Sequence, residues 1–295
     1  MRQSGMSISA LCRLFGMSRQ AYYQYEHYQE QRAFIDQLIL SEVKEIRKLQ
    51  PRAGGRKMFT MLQTFFIRHQ IKIGRDAFFG LLAAQNLLVR LRKRRYLTTF
   101  SKHSFKKYPN LIKDFIATAP HQVWVGDITY IPIQNNFAYL SLLTDGYSRK
   151  IVGWYLSPDL SAYGCVQSLS MALKQKPSQA KIIHHSDRGI QYCSWEYVSV
   201  LQDEHIIMSM TENSDPYENA IAERVNGILK TELLASVYET IDQACSGIEK
   251  AIMIYNYHRL HSSCDLLTPA QAHQQKGILK KHWKNYHKPK EVAMT

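Results

Sequence analysis

One carboxylate within an apolar run constrains the fold of this chain more than any other feature. Asp127 lies near the middle of residues 121–131, which read His-Gln-Val-Trp-Val-Gly-Asp-Ile-Thr-Tyr-Ile. The β-branched and aromatic content of this run predicts a buried strand. Because an ionised carboxylate is costly in such surroundings, the run also predicts that something cationic pairs with Asp127.

Two further acidic residues occur in similarly distinctive settings. Asp187 follows a second short apolar strand, residues 181–185, at a carboxyl end of the kind where open α/β sheets bind ligands. Glu223 lies on a predicted helix over residues 219–234, and thirty-five residues separate it from Asp187. Each residue alone has an ordinary explanation, such as a turn, a helix N-cap or a solvated helix face. Together they predict one shared site.

Carboxylates that converge on one point repel one another unless cations occupy the centre. Hard divalent cations prefer carboxylate oxygens and keep positions open for water and phosphate. The pattern therefore predicts two Mg²⁺ ions, for which Mn²⁺ can substitute, held by Asp127, Asp187 and Glu223. Such a metal pair activates an attacking hydroxyl and stabilises the leaving oxygen of a phosphodiester, which is the chemistry of a nuclease or a transesterase.

The helix that carries Glu223 has a polar face, on which Glu223 and Lys230 align. Lys230 follows Glu223 by two helical turns, or about 10 Å. Asn219 and Asn226 lie beside this face. We expect Lys230, Asn219 and Asn226 to contact DNA phosphate next to the metals. Glu218 is the alternative third ligand, but only Glu223 has Lys230 two turns further along.

Four segments carry a family resemblance. They are Trp-Val-Gly-Asp-Ile-Thr-Tyr-Ile at 124–131, His-Ser-Asp-Arg-Gly-Ile-Gln-Tyr at 185–192, Pro-Tyr-Glu-Asn-Ala at 216–220 followed by Glu223 and Lys230, and Tyr-Asn-Tyr-His-Arg-Leu-His at 255–261 followed by Thr268 and Pro269. They resemble the integrase-type transposases of bacterial insertion sequences, the IS-three group of the retroviral-integrase (DDE) superfamily. The resemblance implies a ribonuclease H-like catalytic core, with Asp127, Asp187 and Glu223 as its metal-binding triad and Lys230 as a contact to the terminal DNA.

A DDE-type transposase is an enzyme that cuts and joins the ends of its own mobile element. The resemblance implies that water first frees a 3′-hydroxyl at an element end, and that this hydroxyl then attacks another phosphodiester. The implied partners are the terminal inverted repeats, target DNA, further copies of the chain on that DNA, and an upstream helix-turn-helix partner or fusion. The residues alone leave two alternatives open: a metal-dependent nuclease that never joins, and a non-catalytic DNA-binding regulator.

The charge distribution indicates where DNA binds. The 38 Lys and Arg residues exceed the 24 Asp and Glu residues, and the net charge of +14 favours a polyanionic partner. Residues 1–113 carry a net charge of +16, residues 114–275 carry −7 and residues 276–295 carry +5. We expect the basic arm to hold the duplex while the carboxylates of the acidic core bind metal.

The first thirty residues predict a helix-turn-helix-like segment. A short amphipathic helix over residues 7–15, a turn at Gly16 and an N-cap at Ser18 lead into a second helix over residues 19–25. That second helix begins with Arg19, which we expect to contact DNA. Only six residues precede the first helix, so the alternative is a helical hairpin for docking or dimerisation.

A second helical unit follows, with helices at 34–49, 58–69 and 75–85. The turn before its middle helix carries three basic residues, and a run of five cations follows its last helix. Such cations bind a phosphate backbone with a marked salt dependence. The expected DNA contacts are Arg52, Arg56, Lys57, Arg90, Arg92, Lys93, Arg94 and Arg95.

The remaining pattern predicts an α/β core. Its strands are predicted at 122–132, 138–145, 150–157, 181–186 and 205–210, and its helices at 161–175, 194–204, 219–234 and 240–258. Asp145 is explained by the turn that follows its strand. His184 and His185 are expected to pack beside the site, because neutral imidazole is a poorer Mg²⁺ ligand than oxygen.

The predicted fold class is thus α/β, a ribonuclease H-like core preceded by an α-helical DNA-binding region of helix-turn-helix type. No apolar stretch approaches 18 residues, no signal-peptide pattern is present, and the five cysteines form no Cys-x-x-Cys pair, so we expect a cytoplasmic, nucleoid-associated protein with reduced thiols. The predicted divisions are a helix-turn-helix-like segment (1–30), a second helical DNA-binding domain (31–95), a basic linker (96–120), the catalytic core (121–275) and a basic tail (276–295).

Overall fold

The computed structural model of the chain describes residues 7–89, 105–134, 136–212 and 216–282. These residues fall into two compact units, one within residues 1–91 and the other within residues 92–295. None of the helices in the described ranges is both long and apolar enough to cross a membrane. All five cysteines carry free thiols, and only that of Cys245 is exposed.

The first unit is helical. Ser7 and Ser18 cap its first two helices, because each hydroxyl accepts a hydrogen bond from the backbone N–H three residues later, and the cap at Ser18 is the expected one. An apolar cluster that includes Ile39, Met58 and Phe78 forms the core of the unit. The helices are α1 (Ile8–Leu14), α2 (Arg19–Leu49), α3 (Gly55–Met61), α4 (Gln63–Arg68) and α5 (Arg75–Ala84).

The expectation of two separate helices at 19–25 and 34–49 is wrong, because α2 runs without interruption from Arg19 to Leu49. No glycine or proline occurs between these ends, so nothing stops the helix once Ser18 has started it. The boundary expected between residues 30 and 31 therefore falls inside α2. The helix expected at 58–69 is also divided, into α3 and α4, at Leu62.

The second unit is built on a mixed sheet of five strands. The strands are β1 (Val123–Ile133), β2 (Asn136–Asp145), β3 (Ile151–Ser157), β4 (Ile183–Ser186) and β5 (Ile207–Met210). Their order in the sheet is β3-β2-β1-β4-β5. β1, β2 and β3 pair antiparallel, whereas β4 and β5 run parallel to β1. All five expected strands are confirmed, with small differences at their ends.

Helices cover both faces of the sheet. They are α6 (Ala162–Leu173), α7 (Ile190–Cys193), α8 (Trp195–Asp203), α9 (Ala220–Ile228), α10 (Ile241–Tyr257) and α11 (Pro269–Ala272). Side chains alternate along β2, so Leu140 and Leu142 join one apolar cluster with α9 and α10, whereas Leu143 joins another with α6 and α8. This order of strands and layers is the ribonuclease H-like fold.

The helix expected over residues 219–234 is not a single α-helix. A 3₁₀ turn (Pro216–Asn219) precedes α9, and a π-helical turn (Leu229–Leu233) follows it. The amide of Leu234 donates to the carbonyl of Leu229, five residues back, at 2.8 Å. This wider turn changes the direction in which residues after Ile228 point.

Asp145 occupies the turn between β2 and β3, as expected. It is fully buried, and its carboxylate accepts hydrogen bonds from the backbone N–H groups of Ser148 (2.8 Å) and His121 (2.7 Å). Burial is the largest single influence and raises the pKa of Asp145, but the side chain of His273 and then these backbone donors outweigh it, so the pKa is lowered. The Asp145 carboxylate therefore stabilises the turn and is not part of the site formed by the other carboxylates.

Candidate functional site

Asp127 and Asp187 lie side by side on neighbouring parallel strands. The register pairs Val125 of β1 with His185 of β4. Asp127 follows Val125 by two residues within β1, and Asp187 follows His185 by two residues, just beyond the end of β4. The mixed sheet therefore brings together two carboxylates that are sixty residues apart in the sequence. The expectation that these two carboxylates converge is met by the fold.

The carboxylate of Asp127 is part-buried and closely held. Its Oδ1 accepts a hydrogen bond from the backbone N–H of Ile128 at 2.9 Å, and its Oδ2 accepts one from Nδ2 of Asn226 at 2.6 Å. Burial and the charge of Asp187 raise the pKa of Asp127 to about 7, and Glu223 adds a smaller repulsion. The two hydrogen bonds oppose this rise without cancelling it. A proton or another cation is thus favoured at Asp127.

Asp187 lies at the start of the loop between β4 and α7. Its Oδ1 accepts a hydrogen bond from the backbone N–H of Gly189 at 3.0 Å, which holds the carboxylate against its own loop. The preceding β4 is short, and Ser186 and His185 on it are fully buried. The strand end therefore fixes Asp187 at the carboxyl edge of the sheet, where ligands of α/β folds bind.

His184 and His185 pack beneath the site, as expected. Nε2 of His184 shares a hydrogen bond with the hydroxyl of Tyr197 at 2.8 Å. His185 contacts Oγ of Ser209 through Nδ1 at 2.8 Å and donates from Nε2 to the carbonyl of Glu218 at 3.1 Å. Burial lowers the pKa of His184 to about 3 and that of His185 to about 4, so both rings are neutral near neutral pH.

Glu223 and Glu218 have different settings. Glu223 lies in the first turn of α9 and is exposed, close enough to Asp127 to repel its charge. Glu218 lies in the 3₁₀ turn, and its Oε2 accepts a hydrogen bond from the backbone N–H of Glu212 at 2.7 Å. The Glu218 carboxylate thus binds the backbone of its own loop, whereas the charge of Glu223 acts on Asp127.

The polar residues of the expected DNA-binding face turn towards the sheet. Asn219 and Asn226 are buried, and Nδ2 of Asn219 donates to the carbonyl of Gly126 at 3.3 Å. Lys230 lies in the π-helical turn, so the expected two regular turns between it and Glu223 are wrong. Burial lowers the pKa of Lys230, while attraction to Asp127 opposes that effect. The DNA contacts of these three residues stay predictions.

Asn226 has a role that sequence reasoning missed, as the residue that holds Asp127. A signal for it existed, because Asn226 follows Glu223 by three residues, a spacing that places both on one side of a helix. The direction of that side was not evident from the sequence. It depends on how α9 packs on β1, which the alternation of apolar side chains alone does not specify.

The oxygen atoms around Asp127 and Asp187 suit a hard divalent cation. In the part of the chain that the structure describes, no three His, Cys, Asp or Glu side chains are grouped closely enough to hold a metal ion. However, Oδ1 of Asn226, whose amide holds Asp127, is buried without a hydrogen-bond partner, which is costly. Two neighbouring carboxylates beside an unsatisfied amide oxygen fit Mg²⁺. Asp127 and Asp187 would hold it, with Glu223 on the adjacent helix.

The expected DNA contacts of the first unit lie at its surface or beyond the described residues. Arg19 opens α2 and is exposed, and Arg56 is exposed in the first turn of α3. Arg52 and Lys57 are part-buried on either side of Arg56. Their contacts with DNA stay predictions. The residues that fall outside the described ranges are Arg90, Arg92, Lys93, Arg94 and Arg95.

The sequence matches the integrase core domain family in two overlapping stretches, residues 117–216 and residues 204–269. A relative from Shigella sonnei, the uncharacterized 31 kDa protein of insertion element IS600, is 33% identical over 265 residues, which make up 88% of this chain and 96% of the relative. The InsF transposase for insertion sequence IS3A of Escherichia coli is 28% identical over 289 residues, 91% of this chain and 94% of its own length.

Two solved structures are similar to the chain. The simian T-cell lymphotropic virus intasome, solved in complex with a PP2A regulatory subunit, aligns with 85% of this chain and 79% of its own chain at 17% identity and a TM-score of 0.47. The HTLV-2 integrase catalytic core domain in complex with magnesium aligns with 52% of this chain and 97% of its own chain at 20% identity and a TM-score of 0.42.

Proposed function

Since the chain belongs to the integrase-core transposases of bacterial insertion sequences, and is thus a DDE-type polynucleotidyl transferase, we propose that it cuts and joins the ends of its own element with two Mg²⁺ ions. The family relationship supports a role in DNA transposition. The observation that carries the finer proposal is the pair of carboxylates at Asp127 and Asp187, which repel each other on adjacent parallel strands.

The residues of the site have distinct roles in this proposal. When bound, Mg²⁺ would activate the attacking oxygen and stabilise the leaving oxygen of the phosphodiester. Asp127 and Asp187 would hold the ions from the rigid sheet, and Glu223 would complete the set of ligands from α9. Asn226 keeps the Asp127 carboxylate in one orientation through its 2.6 Å hydrogen bond.

Lys230 is assigned to the DNA end. Its side chain is part-buried and attracted to Asp127, so its ammonium lies near the carboxylates and not at a remote surface. From there it can neutralise a phosphate next to the one that reacts. The basic residues of the arm, residues 1–113, would hold the duplex, and several copies of the chain would assemble on paired ends and target DNA.

The proposal is tested by incubating the purified chain with labelled element ends and Mg²⁺ and separating cleaved and joined products on one gel. We expect both products from the wild type and neither from Asp187→Asn. Cleavage without joining would identify a metal-dependent nuclease. DNA binding with no product would identify a regulator, and either outcome would refute the proposed transposition chemistry.

A further inference from the structure

A buried ion pair joins the segment after α10 to the π-helical turn after α9. Nε of Arg259 donates to Oε2 of Glu232 at 2.8 Å, and Nη2 of Arg259 donates to Oε1 at 2.8 Å. The Arg259 side chain is only 2% exposed. Because both carboxylate oxygens are held by one planar fork, the contact fixes the orientation of Glu232 as well as its charge.

Glu232 lies in the same π-helical turn as Lys230. Such turns are rare, and they occur as single turns where the local structure holds them. Here the amide of Leu234 donates to the carbonyl of Leu229 at 2.8 Å, and Oγ1 of Thr231 donates to the carbonyl of Gly227 at 2.6 Å. The turn continues directly from α9, so its geometry sets where the end of α9 and Lys230 lie.

Arg259 itself is firmly placed. Its backbone N–H donates to the carbonyl of Ile254 at 3.0 Å, and its guanidinium lies 5.9 Å from the ring centroid of Tyr255. α10 is attached to β3 through Asn256, which accepts from the amide of Ile151 at 2.9 Å and donates to its carbonyl at 3.0 Å. A continuous set of contacts therefore runs from the sheet through α10 to Glu232.

We propose that Arg259 is a positioning residue, whose fork on Glu232 holds the π-helical turn in the form that keeps Lys230 and Asn226 at Asp127. The inference rests on the proposed function, because it assigns Arg259 to the same site. It gives a role to the segment Tyr-Asn-Tyr-His-Arg-Leu-His at 255–261, whose Asn256 binds β3 and whose Arg259 binds Glu232. Arg259 acts through Glu232 and does not touch DNA or metal in this role.

The test is Arg259→Lys in the full-length chain, because lysine keeps the charge but cannot form the fork. The matched control is Lys176→Gln, which breaks the 2.6 Å ion pair between Lys176 and Glu204 elsewhere in the same unit. Three quantities are measured for each: amide hydrogen exchange of residues 223–234 and of the five strands in EDTA, single-turnover cleavage of saturating element ends in Mg²⁺, and affinity for those ends.

For Arg259→Lys we expect faster exchange of the amides at 229–234 and a loss of cleavage of about 10- to 100-fold, as for a lost charged hydrogen bond, with affinity changed far less. Lys176→Gln should change none of the three quantities. The proposal would be overturned if the amides at 229–234 exchange in Arg259→Lys at the same rate as in the wild type. It would also be overturned if these amides exchange faster while cleavage is undiminished.

A second variant covers the case in which Arg259→Lys unfolds, recognised by faster exchange in all five strands. Glu232→Gln keeps the size of the side chain and removes the charge, and we expect it to give the same local pattern in exchange and cleavage. Unchanged exchange in Glu232→Gln would overturn the proposal. A wild-type chain that cleaves no DNA would instead refute the proposed function, whereas the exchange data would still show whether Arg259 holds the turn.

Discussion

Replacing Asp127 with asparagine should change how the stability of the metal-free chain depends on pH. Burial and the charge of Asp187 raise the pKa of Asp127 from 3.8 to about 7. Between these values the folded chain keeps a proton on Asp127 that the unfolded chain has lost. Stability therefore falls as the pH rises from about 4 to about 7, and the fall ends above about 7. Asparagine carries no titrating group, so Asp127→Asn lacks this contribution.

The size of the effect follows from the interval between the two pKa values. A carboxyl whose folded pKa is about 7 and whose unfolded pKa is 3.8 destabilises the folded chain by roughly 4 kcal/mol at high pH. Because the side chain keeps some contact with solvent, we expect about 2–4 kcal/mol. Asn226 can still donate to the amide oxygen of asparagine, so the variant loses little packing.

The assay is urea unfolding of wild type and Asp127→Asn in EDTA across this pH range. The buried His184 and His185, whose pKa values lie at about 3 and about 4, act with the opposite sign, because their stability contribution grows as the pH rises towards 6.5. Both are common to the two proteins, so the difference between the two curves isolates Asp127. Mg²⁺ should stabilise the wild type at high pH and the variant less. If the free energies of unfolding of the two proteins change in parallel with pH in EDTA, the electrostatic reasoning is refuted.

Three further predictions concern the reaction and the DNA. Asp187→Asn and Glu223→Gln should each abolish strand cleavage in Mg²⁺ while DNA binding persists, whereas Glu218→Gln should still cleave; an active Glu223→Gln beside an inactive Glu218→Gln would reverse our choice of third ligand. A fragment of residues 1–113 should bind element ends with a steep loss on raising salt, since cations on the arm displace counterions, and equal binding by a core fragment of residues 114–275 would contradict this division. Lys230→Ala should weaken cleavage and joining by about 1–3 kcal/mol relative to the control variant Lys250→Ala, because Lys250 is an exposed residue on α10. Equal activities of the two variants would identify Lys230 as an ordinary surface residue.

The sequence was most informative where apolar patterns and turn residues agree. The strands that hold Asp127 and Asp187 follow from β-branched runs that end in polar residues, and Ser7 and Ser18 mark helix starts that the structure confirms. Gly153 shows what such patterns miss. A Cβ at this position would lie 2.0 Å from the carbonyl of Ser168, so α6 packs directly on β3 there. The sequence shows a glycine but not the helix that requires it.

Two of the errors have a common physical cause, because contacts between residues distant in sequence decide the local structure. The π-helical turn after α9 depends on Glu232 and its partner Arg259, twenty-seven residues later. The burial of Asn219 and Asn226 depends on β1, more than ninety residues earlier. The uninterrupted length of α2 is hard to predict for a different reason. The exposed first half of α2 lacks the apolar periodicity that indicates a helix, although every residue in it can form one.

The central claim, that this carboxylate site joins DNA as well as cutting it, is tested most directly with pre-cleaved element ends. Two kinds of end are compared, one with a 3′-hydroxyl and a matched one with a 3′-deoxy terminus. Each is incubated with target DNA and Mg²⁺, and with either the wild-type chain or Asp127→Asn. The account predicts joined strands for the wild type with the hydroxyl ends alone. Joined product from Asp127→Asn, or none from the wild type when the same protein cleaves intact ends, would contradict it.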